Sequence, residues 1–141
     1  MSGIHFFTED IVFNLPHKNA VRKWLKSIII YEQHSLFQLN YIFCSDTFIL
    51  EINNKYLNHN YFTDVITFNN SCKLNFIEGD IFISIDRIKE NSTIFQSSDN
   101  ELFRVMVHGL LHLFGYNDHS NDEILIMRNK ENFYLSIIDF L

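Results

Sequence analysis

Val105-Met106-Val107-His108-Gly109-Leu110-Leu111-His112-Leu113-Phe114-Gly115-Tyr116-Asn117-Asp118-His119-Ser120 is the stretch whose reading decides the fold. His108 and His112 are four residues apart. At about 100° per residue, two such positions differ by about 40° and stack on one helical face. Two imidazoles so placed can grip a single ion. Gly115 permits the helix to end through a left-handed residue, and the chain can then return a third ligand, Asp118 or His119. Imidazoles with a carboxylate or a third imidazole suit zinc, and three protein ligands leave a position open for water. A lone histidine on an apolar helix is more often a core or cap residue. The four-residue pairing, closed by Gly and then Asp-His, favours one metal ion instead. Protein-cleaving zincins carry Glu directly after the first His as general base. Gly109 stands there, so a peptidase would lack its base.

The surrounding chain reads as α+β. Of its 141 residues, 47% are hydrophobic and 15 are Phe, which argues for a real core and against disorder. One Pro and four Gly leave little room for a linker, so a single domain over residues 1–141 is expected. No apolar run approaches the roughly 20 residues of a membrane span, and the first residues lack the pattern of a signal peptide. The expectation is therefore cytoplasmic and not membrane-bound. Cys44 and Cys72 are far apart, and no disulfide is expected.

Ile4–Phe7 reads as a strand and Ile11–Phe13 as a second short extended piece. Pro16 suits a first helical position. Val21, Trp24, Leu25 and Ile28 then predict an amphipathic helix to about Gln33, with Lys18, Arg22, Lys23 and Lys26 on its outer face. Phe37–Phe43 alternates as a half-buried strand. Ser45 looks like the N-cap of a short helix through Phe48, Ile49, Ile52 and Tyr56. Val65–Phe68 and Gly79–Ile85 read as strands, and Asp86–Phe95 as a helix. Ser98-x-x-Glu101 is a capping-box pattern opening the long helix to Phe114, which is apolar nearly all round and hence central and buried. Asn121–Ile138 resumes helical spacing through Ile124, Met127, Phe133 and Ile137.

The span His108–Tyr116 resembles the His-Gly-x-x-His-Leu-x-Gly-Tyr motif of the YbeY family, bacterial metal-dependent endoribonucleases of ribosomal RNA maturation. Ile52–Tyr56 and Thr63–Phe68 resemble the family's Leu-Asn-x-x-Tyr-Arg and Thr-Asp-Val-Leu-Ser-Phe, and Gly79-Asp80-Ile81 its Gly-Asp-Ile. The family follows its Tyr with Asp-His, and that His is the third ligand. Here Asn117-Asp118-His119 is one residue longer. Aligned without a gap, Asp118 takes the third-ligand position, and it is the residue chosen; a one-residue bulge would bring His119 there instead. The resemblance implies a mixed sheet of about four strands, packed with a central buried metal-bearing helix and flanking helices, and a zincin-like site at one end of a groove.

The family commonly has Arg after the matched Tyr and Lys two residues later. Leu57 and His59 stand there, and a leucine cannot hold phosphate bidentately as a guanidinium does. His59 and Arg104 are the candidates for a catalytic role, and Lys55, His59 and Arg104 for RNA contact. No general base is assigned. The net charge of −6 opposes nucleic-acid binding weakly. All of it lies in residues 61–141, since residues 1–60 carry five basic and five acidic residues. The resemblance implies a single-strand-specific, zinc-dependent endoribonuclease acting in ribosomal RNA processing and ribosome maturation, including the 3′ end of small-subunit RNA. Its partners would be ribosomal RNA or a ribosomal particle, not DNA. Two other readings are a metallohydrolase with a non-RNA substrate, and a non-enzymatic assembly factor with a structural metal. The sequence does not speak to oligomeric state.

Overall fold

Two crossovers and a hairpin generate one four-stranded sheet. The computed structural model describes residues 2–94 and 99–141. β1 (Gly3–Thr8) leads through α1 (Lys18–Tyr31) to β2 (Ser35–Cys44). α2 (Asp46–Leu57) then delivers the chain to β3 (Val65–Asn69), which turns into β4 (Phe76–Ser84). α3 (Ile85–Ile94), α4 (Asp99–Phe114) and α5 (Asn121–Ser136) follow. The strand order is β1-β2-β4-β3. β2 pairs in parallel with both β1 and β4, and β3 runs antiparallel to β4 at the edge. The expected mixed α+β architecture is therefore what forms.

Alternation sorts the sheet residues between two apolar layers. Leu39, Tyr41 and Phe43 of β2 and Ile81 and Ile83 of β4 point into the main core, where they meet Val21, Leu25 and Ile28 of α1. Phe103, Met106, Val107, Leu110 and Leu111 of α4 complete that layer without exposure. A smaller cluster of Ile49, Ile66 and Cys44, with Phe48 and Phe82 packed on it, joins α2 to the other face. Burial and the nearby Asp10 and Asp86 push the Cys44 thiol up to about 12, so it is an inert core group. Both cysteines are free. Among the described residues, no helix is long and apolar enough to cross a membrane.

Ser45 caps α2 as expected, accepting from the Phe48 amide at 3.1 Å. Four readings need correction. Ile11–Phe13 forms no strand. Pro16 lies before α1, which begins after His17 in a left-handed conformation (φ 57°). β4 starts at Phe76, three residues ahead of the expected Gly79. In α5 the buried face is Met127, Glu131 and Tyr134, leaving Ile124 and Phe133 exposed. The Ser98 capping box lies outside the described residues.

α4 lies so close to the sheet that Gly109 has no space for a side chain. A Cβ there would stand 2.8 Å from Ile81 Cγ2 and 3.4 Å from Thr67 Cγ2. Ile81 is branched at Cβ and fully buried, so its methyl cannot step aside cheaply. The residue after the first histidine thus faces the sheet, and a glutamate at this position would have nowhere to go. We expect Gly109→Ala to destabilise the protein by up to about 2 kcal/mol. Overpacking costs about 1–3 kcal/mol, and the better helix propensity of Ala returns about 1 kcal/mol. Urea unfolding measures the difference; an unchanged midpoint would mean that α4 can shift away from the sheet.

Candidate metal centre

The C-terminus of α4 ends in a Schellman turn, and that turn assembles the site. Gly115 adopts φ 106°, its amide bonds the His112 carbonyl at 3.0 Å, and the Tyr116 amide bonds the Leu111 carbonyl at 3.1 Å. The reversed chain is caught four residues after Tyr116. Ser120 caps α5 and forms a full capping box with Glu123. Asp118 sits in the short span between the two devices.

Three donor atoms meet there. His108 Nε2 and His112 Nε2 are 3.0 Å apart. Asp118 Oδ2 is 3.4 Å from the first and 3.5 Å from the second. All three lie within 4.8 Å of one another. His119 does not join this group; it is exposed, and its amide donates to Glu123 Oε1 at 3.2 Å.

The outer nitrogens of both imidazoles are committed. His112 Nδ1 donates to the Tyr116 carbonyl at 2.9 Å. His108 Nδ1 donates to Glu131 Oε2 at 2.7 Å. A carbonyl can only accept, so the neutral His112 ring carries its proton on Nδ1 and turns a lone pair inward. Glu131 imposes the same tautomer on His108. Two lone pairs and a carboxylate oxygen facing one point repel each other unless a cation lies between them, so the donor set fits a divalent ion. The half-buried rings are not electrostatically alike. Burial opposes protonation of His108, but the bond and charge of Glu131, with Asp118 and Asp64, outweigh it and raise its pKa. Burial and the neighbouring His108 lower that of His112, against Asp118.

Two clefts open from this point. One, of about 570 Å³, is walled by Glu101, Arg104, Arg128 and Glu131, and the other, of about 440 Å³, by Leu57, His59, Tyr61 and Thr63. Asp64, His108 and Asp118 line both. The donor cluster therefore sits between two arms of a groove rather than at one end.

A family model described as Endoribonuclease YbeY matches residues 4–139. The chain belongs to the YbeY family. It is 49% identical over 138 residues to the Endoribonuclease YbeY of Cytophaga hutchinsonii, covering 97% of this chain and 96% of that one. It is 45% identical over 135 residues to that of Amoebophilus asiaticus, covering 95% and 92%. A solution structure of a Thermotoga maritima protein shares the fold, with a TM-score of 0.66 at 24% identity over 94% of this chain and 87% of that one.

The other residues singled out in the sequence are distributed unevenly. Arg104 is held at both ends, donating to Glu131 Oε1 and to Asn132 Oδ1 at 2.8 Å each. Its guanidinium braces the carboxylate behind His108. His59 stands in the second cleft, with Nδ1 3.0 Å from the Tyr61 hydroxyl. Lys55 lines neither cleft; its Nζ lies 5.3 Å from the centre of the Tyr56 ring.

Sequence reasoning missed Glu131, Asp64 and the Tyr116 carbonyl. Glu131 had a legible signal. Met127, Glu131 and Tyr134 are four and three residues apart, so a charge falls on a buried stripe, where it must be paired. Asp64 lay inside a quoted motif with no role attached. Burial raises its carboxyl pKa, against the opposing charges of His108 and Arg87.

Behind the site, Glu32 gathers three donors. It accepts from the Tyr116 hydroxyl at 2.7 Å, from Lys130 Nζ at 3.0 Å and from the Tyr134 hydroxyl. Burial raises its pKa, but these hydrogen bonds and Lys130 outweigh that and depress it. A carboxylate depressed in the folded state stabilises fully above its unfolded value near 4.5, and the contribution is lost as pH falls through the folded value. Glu32→Gln should therefore cost about 2 kcal/mol near neutral pH, the scale of a charged hydrogen bond, and less in acid. Urea unfolding of both proteins at neutral and acidic pH checks this; a gap that does not narrow in acid would contradict the assignment.

Proposed function

We propose that this chain is a zinc-dependent endoribonuclease that cuts single-stranded RNA in ribosomal RNA processing. His108, His112 and Asp118 hold one ion. The observation that carries the reading is the convergence of their three donor atoms within 4.8 Å. The context is a chain aligned over nearly its full length with relatives named Endoribonuclease YbeY. Two imidazoles and a carboxylate are an accepted zinc set. The substrate assigned is ribosomal RNA, free or in a particle, which makes the cytoplasm the place of work.

When bound, zinc supplies Lewis acidity toward a phosphate oxygen and makes water a stronger acid. The side chains divide the remaining work. Glu131 and the Tyr116 carbonyl fix the ring tautomers and aim both Nε2 atoms. Arg104 positions Glu131 rather than substrate. Asp64 lines both clefts beside His108, and its raised pKa suits it to take a proton from attacking water. His59 faces the RNA side, and Lys55 has no place in either cleft. The third ligand is Asp118 rather than His119. The Schellman turn and the Ser120 cap accommodate the extra residue without the bulge that would bring His119 inward.

Structural zinc sites are closed by four protein ligands. Among the described residues three donors gather, which favours the enzyme over an assembly factor with a structural metal.

Protein purified without a histidine tag should contain close to one equivalent of zinc. Asp118→Ala and His112→Ala should lose both the ion and cleavage of a ribosomal RNA fragment, while His119→Ala keeps the ion. Elemental analysis beside a gel cleavage assay decides; loss of zinc only in His119→Ala would transfer the third-ligand role to His119. Leu57 lines the second cleft and is 40% exposed. Leu57→Arg should raise kcat/KM by about tenfold or more, from one added charged hydrogen bond of about 1.5–3 kcal/mol. An unchanged rate at subsaturating RNA would count against any phosphate contact at that position.

A further inference from the structure

The second cleft has aromatic rings where a phosphate-gripping wall would have cations. Among its described lining residues there is no Lys or Arg. His59 and Tyr61 stack on each other with ring centres 5.1 Å apart and planes 21° apart. Tyr61 remains 55% exposed and the adjacent Phe62 52% exposed. Large aromatics left open at the mouth of a cleft are not explained by the core, which both residues lie outside.

The wall is also rigid. Asn53, buried in α2, donates from its side-chain amide to the Tyr61 carbonyl at 2.9 Å, and its main-chain carbonyl accepts from the His59 amide at 3.1 Å. One residue, through its side chain and its main chain, thus ties both ends of the loop. Asn58 allows the sharp exit from α2 with φ 54°. The Tyr61 hydroxyl ties back to His59, and Phe62 lies beneath the Arg87 guanidinium at 5.5 Å. Pre-set rings lose little freedom when a flat partner lands on them.

We infer that the His59–Tyr61 ring pair is a stacking platform for an unpaired nucleobase of the RNA strand whose phosphate lies at the His108–His112–Asp118 cluster. This rests on the proposed ribonuclease function and names how that site holds its substrate. Every base has a π-face, so stacking is sequence-tolerant, and a base already stacked within a duplex cannot use it. A preference for single strands follows without any base-edge contact. The platform also answers the two features that oppose RNA binding, the negative net charge and the Leu57 in place of a guanidinium. Here affinity comes from ring area more than from charge.

The test uses a 2′-O-methyl hexa-adenylate carrying one 2-aminopurine, titrated with the zinc-loaded full chain. Quenching of the fluorophore reports stacking, and cleavage of unmodified hexa-adenylate is followed in parallel. Tyr61→Ala and Tyr61→Leu should weaken binding by about ten- to a hundredfold, the scale of one stacked base, and abolish the quenching. Tyr61→Phe should retain both. The Asn53 clamp reaches the main-chain carbonyl of Tyr61, so these changes leave the loop tied, and zinc content confirms that each variant is folded. Full binding and quenching in Tyr61→Leu, with cleavage by the parent chain intact, overturns the platform and leaves the ribonuclease reading standing. Loss in Tyr61→Phe equal to that in Tyr61→Ala also overturns it, since the hydroxyl would then be what matters. A parent chain that neither binds nor cuts either oligonucleotide overturns both.

Discussion

The left-handed exit at Gly115 is the constraint on which the site depends. A helix that ran on one more turn would carry Tyr116 and Asp118 away from the two histidines. With φ at 106°, the same residues return. The Tyr116 carbonyl meets His112 Nδ1, and the Asp118 carboxylate meets both Nε2 atoms. An L side chain at Gly115 would strain this conformation even though a Cβ there meets nothing within 4 Å. The glycine is required for its dihedral alone. Gly109 is the converse case, required for space alone, because it lets α4 settle on Ile81 with its histidines turned to the groove.

α5 then acts as a brace made mostly of charge. Its buried face holds Glu131 between Met127 and Tyr134. Glu131 takes a hydrogen bond from His108 on one oxygen and an ion pair from Arg104 on the other. Glu32, from the end of α1, takes three donors, of which Tyr116 belongs to the exit turn and Lys130 and Tyr134 to α5. Buried ion pairs add little to net stability, since desolvation consumes the attraction. They do make most alternative packings of α5 costly, because each would strand a carboxylate in the core. The histidine orientations are thereby specified by residues of α5 and the exit turn, with Glu32 behind them.

How much of this was legible in the sequence follows from which interactions are local. The His108–His112 pair, the Gly115 exit and the Ser45 cap depend on residues within about one helical turn, and each could be read. The alternation in Phe37–Phe43 and Gly79–Ile85 gave the strands, because a half-buried strand must alternate. The Pro16 helix start could not be read. His17 takes a left-handed cap conformation, and no propensity scale anticipates that. The roles of Glu131 and Arg104 were hidden by distance. Arg104 is 27 residues from its partner Glu131, beyond the reach of any local pattern. Ser120-x-x-Glu123 is as local as the Ser98 pattern and equally legible.

The electrostatics of the groove suggest an order of assembly on the proposed reading. The first cleft is walled by four carboxylates, Asp64, Glu101, Asp118 and Glu131, against the guanidiniums of Arg104 and Arg128. Both arginines are within ion-pair distance of the same Glu131 oxygen, Arg104 at 2.8 Å and the more exposed Arg128 at 3.4 Å. The second cleft contributes rings and no Lys or Arg among the described residues. A phosphodiester entering such a groove alone meets like charge at short range, in a partly desolvated space where that repulsion is weakly screened. His108, His112 and Asp118 would hold a divalent cation in the opposite field, and the held ion would reverse the local sign for an anion that follows. The carboxylate in place of a third imidazole serves the same order. It strengthens the attraction for the cation and leaves the loaded site less positive. The ring wall then supplies the affinity that a more cationic groove would have drawn from phosphates.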